Sequence, residues 1–294
     1  MSTQFHTVGI IGRISSPGVK ETLLALIDYL AKIKQAFVIE AETASFCTDC
    51  AAPCVPREAL SSHCQLLIVI GGDGSLLRAV GAMVDNPIPV LGINRGRLGF
   101  LTDILPDELE KIGLILSGQY KLEKRFLLEA TVTHQGDVIG QSAALNEIAL
   151  IPDLTPHMTE FEIYIDNEFV CSQDSDGVII ATPTGSTAYA LSGGGPILHP
   201  ALDAMVIVPM FPHTLSIRPL VVEGDRHIRL FVTQHNDATP RLTCDGQGLI
   251  HVPPGSEVTI KKKREPLQLI HPLDYSYYAS LRSKLHWGRK VTAC

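Results

Sequence analysis

Asp73 stands in a glycine turn, Gly71-Gly72-Asp73-Gly74-Ser75, that follows the apolar run Gln65-Leu-Leu-Ile-Val-Ile70 and leads into Leu76-Leu77-Arg78-Ala79-Val80. An apolar run that ends in glycines and reopens with helical spacing is a strand–turn–helix unit. The glycines let the backbone come close to an anion. The helix N-terminus behind them offers unpaired N–H groups and a positive dipole end to phosphate. A carboxylate in such a turn repels phosphate unless it holds a metal ion or takes a proton from a reacting hydroxyl. That combination points to phosphoryl transfer. The chain has no G-x-x-x-x-G-K-[ST] and no strand-following G-x-G-x-x-G, which excludes the P-loop and the Rossmann fingerprint. Taken alone, the turn also fits an ordinary strand-to-helix connection.

A second block runs from Asp176-Gly177 through Pro183-Thr184-Gly185-Ser186-Thr187-Ala188-Tyr189-Ala190-Leu191-Ser192 to Pro196. A buried strand ends at Thr182-Pro183 and a short helix opens at Gly185-Ser186. Its N–H groups and the hydroxyls of Thr184, Ser186 and Thr187 form a second anion-tolerant turn, with a capped connector as the alternative. Tyr189 offers a flat face to a base, or packs in the core. Two helix mouths in one chain point to a ligand of dinucleotide size. Asn146 and Glu147 interrupt the apolar strand Ala143 to Ile151. Strand neighbours face opposite sides, so one of the pair faces the interior or a cleft. There an amide and a carboxylate suit ribose hydroxyls, with a solvated edge pair as the alternative. Asp245-Gly246-Gln247 reads as a turn at a strand end. His157 reads as loop surface, and Arg78 as a solvated side chain able to reach forward to phosphate.

Strands and helices alternate over the first hundred residues. A strand at 6–13 is followed by a helix over 18–33, with Leu23, Leu24, Ile27, Leu30 and Ile33 at helical spacing. Strands at 36–40, 65–70 and 89–93 and the helix after Gly74 complete an α/β domain with a parallel sheet, placed at 1–104. Ligands on such sheets sit at the carboxyl ends of the strands, where Gly71–Ser75 and Asn94-Arg95-Gly96 fall. After a helix at 106–116 the chain turns to short strands separated by turn signals. This predicts a β-rich domain over 105–271 built of two packed sheets. A basic helical stretch from Tyr275 to Trp287 lies in a tail, 272–294, that folds back on the first domain.

With 294 residues, 45% hydrophobic and 19% charged, the chain has the composition of a globular protein with a real core. A net charge of −7 argues against nucleic acid as a partner. The start leads directly into a strand with neither a basic leader nor an apolar span, so the expectation is a cytoplasmic protein with no membrane contact. Cys47, Cys50, Cys54 and Cys64 cluster near His63. Their spacing matches half a zinc site at best, and reduced thiols in a surface loop are the plainer reading.

Taken together, the chain resembles the bacterial NAD kinases over nearly its whole length. The stretches that carry the resemblance are Gly71-Gly72-Asp73-Gly74, Gly92 to Leu101, Leu145-Asn146-Glu147, Asp176-Gly177 to Pro196, and Val208 to Pro219. The resemblance implies an α/β domain followed by a β-sandwich domain and a homo-oligomer, dimer or tetramer. It also implies transfer of a phosphoryl group from ATP to the 2′-hydroxyl of the adenosine ribose of NAD. Phosphoryl transfer calls for a divalent cation, magnesium, on the donor phosphates, which fits a chain with no dense carboxylate cage. By position, Asp73 is the catalytic base and Gly74 its neighbour in the NAD contact. Arg78, Asn146, Glu147, His157, Asp176, the stretch Thr187, Ala188, Tyr189, Ala190, Leu191 and Ser192, and Gln247 are further NAD contacts. Asp174 departs from the family pattern, in which a basic or small residue stands there. An acidic group meets dinucleotide phosphates badly, so no direct contact is expected from it.

Two other readings compete. A lipid kinase shares a related Gly-Gly-Asp-Gly turn, but the chain has no basic amphipathic membrane-facing segment. A regulator that senses NADP without turnover has no use for a carboxylate facing a ribose hydroxyl.

Overall fold

Strand β4 (Leu66–Gly71) is aliphatic throughout and buried throughout, as expected of a strand covered on both faces. It is central in a seven-stranded sheet of order β3-β2-β1-β4-β5-β19-β6. The others are β1 (Thr7–Gly12), β2 (Ala36–Glu40), β3 (Cys54–Val55), β5 (Val90–Asn94), β6 (Lys121–Arg125) and β19 (Leu267–His271). Strands β3, β2, β1, β4, β5 and β19 pair in parallel. Helix α1 (Val19–Lys32) buries Val19, Leu23, Leu26 and Leu30 against Ile10, Ile68 and Ile70, each fully buried side chain contributing about 1.5–3 kcal/mol. This computed structural model describes residues 5–13, 18–47, 52–96, 99–153 and 158–287.

The chain divides into two units, Met1–Lys124 with Leu267–Cys294, and Arg125–Pro266. The texture of the sequence places the division at 104/105 and 271/272 instead. Helix α5 (Glu110–Leu116) puts Ile112, Ile115 and Leu116 into the core of the first unit, as β19 does Ile270. Leu269 of β19 pairs with Val90, so the returning tail begins with a strand. After the short helix α2 (Ala41–Ala44), the cysteine segment, which reads as a plain loop in the sequence, contains β3, a 3-10 turn (Arg57–Ala59) and the short helix α3 (Leu60–His63), and buries Val55, Leu60 and Cys64. Helix Tyr277–Leu285, capped by Ser276, brings Tyr277 against Phe100, ring centroids 6.4 Å apart.

The second unit holds two six-stranded sheets, β11-β10-β15-β18-β7-β8 and β14-β13-β12-β9-β16-β17. The strands are β7 (Leu128–His134), β8 (Asp137–Ala144), β9 (Glu147–Ile151), β10 (Thr159–Ile165), β11 (Glu168–Ser175) and β12 (Gly177–Ala181). They continue with β13 (Ala204–Met210), β14 (Leu220–Glu223), β15 (Ile228–Val232), β16 (Arg241–Cys244), β17 (Gln247–His251) and β18 (Glu257–Lys262). Alternation in β10 and β15 sends Phe161, Ile163, Ile228 and Leu230 inward, where they join Ile148, Leu150, Val178 and Ile180 of the other sheet. The opposite face of β9, β12 and β13 is also buried, through Ala149, Ile179, Val206 and Val208 with Ala190 and Leu198. Burial on both faces explains why these strands are apolar without alternation.

Candidate active site residues

Helix α4 (Asp73–Gly81) begins where β4 ends, with Gly72 at its cap. Ser75 and Leu76 N–H close onto the Gly72 carbonyl. Among the described residues no acceptor takes the N–H groups of Asp73 and Gly74, which therefore face outward from the helix end. The Asp73 carboxylate is held by the loop after β5. Phe100 N–H donates to Oδ2 at 2.9 Å, and Leu101 N–H and the Thr102 hydroxyl donate to Oδ1, each at 3.1 Å. Thr102 is itself fixed by Asn94 Nδ2 at 3.0 Å. A carboxylate has about four acceptor positions; three are filled, and the one left is on Oδ2.

The apolar pattern predicts one strand from Ala143 to Ile151. The structure breaks it: β8 belongs to one sheet and β9 to the other, and Leu145-Asn146 is the crossover. Backbone groups at a crossover lose their ladder partners and must find others. Asp245 supplies them. Its carboxylate accepts from Leu145, Asn146 and Glu147 N–H at 2.8, 2.7 and 3.1 Å, while Thr182 bonds both the Leu145 and Asn146 carbonyls. The Asp245-Gly246 turn has both residues at positive φ, 53° and 64°, as a two-residue hairpin requires. The turn reading is therefore right but incomplete: Asp245 positions the Asn146–Glu147 pair.

Glu147 is 7% exposed. It accepts from the Tyr189 N–H, and its Oε2 is buried without a hydrogen-bond partner. Burial first, and then the neighbouring Asp245 charge, push its carboxyl up to about 8, so it carries a proton at neutral pH. Asp245 is also raised, by burial, against the three N–H groups that hold it down.

The second expected anion mouth is spent internally. Residues Gly185–Thr187 form a 3-10 turn and Tyr189–Ser192 a four-residue helix. Gly185, Ser186 and Ala188 N–H go to Thr182 Oγ1 and to the carbonyls of Thr182 and Gly185. The hydroxyls of Ser186 and Thr187 bond backbone, and Thr184 accepts from Arg125. A Cβ on Gly185 would stand 2.1 Å from the Asn146 carbonyl oxygen, so the segment is packed onto the crossover. It brings Tyr189 beside Glu147 and leaves Tyr189 and Ser192 exposed, Ala190 buried, and Thr187, Ala188 and Leu191 half-buried.

Gln247 is half-buried just beyond the Asp245 turn, opposite Cys244. Asp176 is exposed at the start of β12, its N–H on the Met210 carbonyl. Glu147 pairs with Ala181 at the other end of that strand, so these two are a strand length apart, roughly 13–17 Å. Asp174 is exposed as well. Arg78 is half-buried with Arg13 and Arg57 in one cleft of the first unit. His157 and Cys50 lie outside the described residues. Among those described, Cys54 is exposed and Cys64 buried, and no three His, Cys, Asp or Glu side chains converge.

A glycine-turn carboxylate on a parallel sheet, in one chain with a β-sandwich that presents an amide and a carboxyl at a strand crossover, defines a nucleotide phosphotransferase. Residues 54–120 match the ATP-NAD kinase N-terminal domain and residues 145–272 the ATP-NAD kinase C-terminal domain. The chain is 51% identical to the NAD kinase of Coxiella burnetii over 287 residues, 98% of this chain and 96% of that protein. It is equally similar to the NAD kinase of Pseudomonas syringae pv. syringae, 51% over 289 residues and 98% of each. Among solved structures it superposes on yeast NADH kinase complexed with NADH with a TM-score of 0.90, at 25% identity over 98% of this chain and 89% of that one. An Archaeoglobus fulgidus NAD kinase in complex with ATP has the same fold, TM-score 0.74 at 24% identity, over 94% and 99% of the two chains. The chain belongs to the ATP-NAD kinase family and is a kinase.

Proposed function

We propose that Asp73 is the general base in this chain's NAD kinase reaction, the transfer of a phosphoryl group from ATP to the 2′-hydroxyl of the adenosine ribose of NAD to give NADP. The observation that carries this reading is the one acceptor position left on the Asp73 carboxylate, beside a helix end with two open N–H groups. Three donors fix the carboxylate, so it meets the hydroxyl without reorganising. The open N–H groups of Asp73 and Gly74 face the transferred phosphoryl group.

Asn146 and Glu147 hold ribose hydroxyls. The protonated Glu147 both donates and accepts, and ligand satisfies the buried Oε2. Gly74, Arg78, His157, Asp176, Thr187 to Ser192 and Gln247 are assigned to NAD by resemblance.

The divalent cation, magnesium, enters on the donor phosphates. No three ligating side chains converge among the described residues, which fits an ion that keeps most of its waters and rides on phosphate. When bound, it neutralises charge on the transferred group.

A homo-oligomer is supported by apolar side chains exposed on and near two edge strands: Phe169 and Val170 on β11, Leu220 and Val221 on β14, and Phe211 and Leu215 nearby. Unpaired apolar edges are sites of association. No helix among the described residues is long and apolar enough to cross a membrane, and we place the protein in the cytoplasm.

Purified protein incubated with magnesium, ATP and NAD should yield NADP, scored with an NADP-specific dehydrogenase. Absence of NADP under those conditions refutes the reading.

A further inference from the structure

The loop that holds the Asp73 carboxylate is itself held by the returning tail of the chain. Phe100 and Leu101 N–H and the Thr102 hydroxyl donate to Asp73. The next residue, Asp103, reaches His271, the last residue of β19. His271 Nδ1 donates to Asp103 Oδ2 at 2.9 Å; a carboxylate only accepts, so Nδ1 carries the proton. The two side chains are 1% and 7% exposed. The imidazole is fixed in turn. Its ring stacks on Tyr275, centroids 3.9 Å apart and planes 10° apart, and its Nε2 lies 3.7 Å from Glu123 Oε2 of β6. A second contact from the same tail reaches the other end of the loop, where Tyr277 packs on Phe100.

Stability does not account for this pair. An enclosed ion pair contributes little net against apolar side chains of similar size, and the tail has other anchors. Strand β19 lies beside β5 in the sheet, Lys111 Nζ bonds Asp274 Oδ2 at 2.8 Å, and Lys121 Nζ bonds the Tyr275 carbonyl at 2.8 Å. Asp103 sits between the three donors and Ile104, where the chain bridges back to Ile93. Among the described residues no other main-chain group pairs with the Asp103 backbone, so its side chain sets where it lies.

We propose, on the reading of Asp73 as the base, that His271 is a positioning residue for the reaction. Through Asp103 it holds Phe100–Thr102 where their three donors aim the open acceptor position of Asp73 at the ribose hydroxyl. The tail of the chain thereby sets the geometry of a turn near its start.

Two amides separate this role from a general structural one. Asn carries its NH₂ where His has Nδ1, and Gln carries its NH₂ where His has Nε2. His271→Asn therefore keeps the donor to Asp103, while His271→Gln moves it toward Glu123. Turnover with NAD, ATP and magnesium should fall about 10- to 100-fold in His271→Gln, the order of loss for a displacement of about 1 Å at a reacting group. Calorimetric NAD affinity should stay at the wild-type value, and His271→Asn should restore most of the turnover. Because His271 acts through Asp73, His271→Gln should cost little further turnover in an Asp73→Asn background. Asp103→Ala removes the acceptor from the loop side, strands no charge and should lose turnover as His271→Gln does. It keeps the test decisive where melts show that His271→Gln does not fold. Wild-type turnover in folded His271→Gln or Asp103→Ala overturns the proposal. So do equal losses in the Asn and Gln variants, a fall in NAD affinity that matches the fall in turnover, and a full further loss in the Asp73→Asn background. Wild-type turnover in Asp73→Asn alone is a separate result: it defeats the reading of Asp73 as the base, and the role of His271 with it.

Discussion

Gly99 gives Asp73 the space its carboxylate occupies: a Cβ at position 99 would stand 2.0 Å from Asp73 Oδ1 and 2.5 Å from Thr102 Oγ1. The loop that fixes the base therefore passes too close to it for any side chain. In Gly99→Ala the carboxylate or the Phe100–Thr102 backbone has to move. A displacement on the order of 1 Å at a reacting group can cost about 100-fold in rate. Turnover should fall by about that factor with NAD affinity retained, as steady-state kinetics beside calorimetry will show. Wild-type turnover in Gly99→Ala would mean that this loop does not set the base.

Glu147 gives the protein a pH signature. Its carboxyl titrates at about 8 in the fold against 4.5 for the free group. Between those values the unfolded chain has released a proton that the folded chain keeps, so this residue makes stability fall as pH rises from about 4.5 to about 8. Below 4.5 both states hold the proton and the effect vanishes. Glu147→Gln resembles the protonated form and lacks the titration. Its melting temperature should exceed that of wild type at pH 8.5, by up to a few kcal/mol in stability, and the gap should close toward pH 4.5. A gap constant across the range contradicts the buried, proton-holding Glu147.

Truncating the same residue separates ligand from scaffold. Glu147→Ala removes a ribose contact and should weaken NAD binding by roughly 0.5–1.5 kcal/mol for each hydrogen bond that the neutral carboxyl makes to the ribose. The fold should hardly suffer, because an unsatisfied buried Oε2 goes with it. Unchanged affinity with a lowered melting temperature would make Glu147 scaffold only.

Chelation distinguishes a cation on the substrate from one in the structure. EDTA should abolish NADP formation, magnesium should restore it, and the melting temperature should barely change. A large fall in melting temperature would instead point to metal held by the protein, with Cys47, Cys50, Cys54 and Cys64 the first residues to mutate.

What the sequence shows and what it hides follows the range of the interactions. The Asp73 turn is legible because strand, glycines, carboxylate and helix are contiguous. The parallel first sheet and the β-rich second unit are legible in their periodicities. Asp245 is not, because it acts on Leu145–Glu147 a hundred residues away, and a turn aspartate carries no sign of its partner. The crossover at Leu145-Asn146 is hidden for another reason: Ala144 and Leu145 before it and Ile148, Ala149 and Leu150 after it are all buried and apolar, so the apolar pattern runs through the break. Thr184, Ser186 and Thr187 have the residue types of an anion site, but their hydrogen bonds are satisfied within the fold. Strand β19 sits next to β5 only through a long-range pairing of Leu269 with Val90, and this moves the unit boundary away from where the texture of the sequence changes.

The central claim is that Asp73 takes the ribose proton, and Asp73→Asn tests it most directly. The substitution keeps the shape and removes the base. Turnover of NAD with ATP and magnesium should fall by about 10²- to 10⁴-fold while calorimetric NAD affinity stays near wild type. Wild-type turnover in Asp73→Asn would contradict the account.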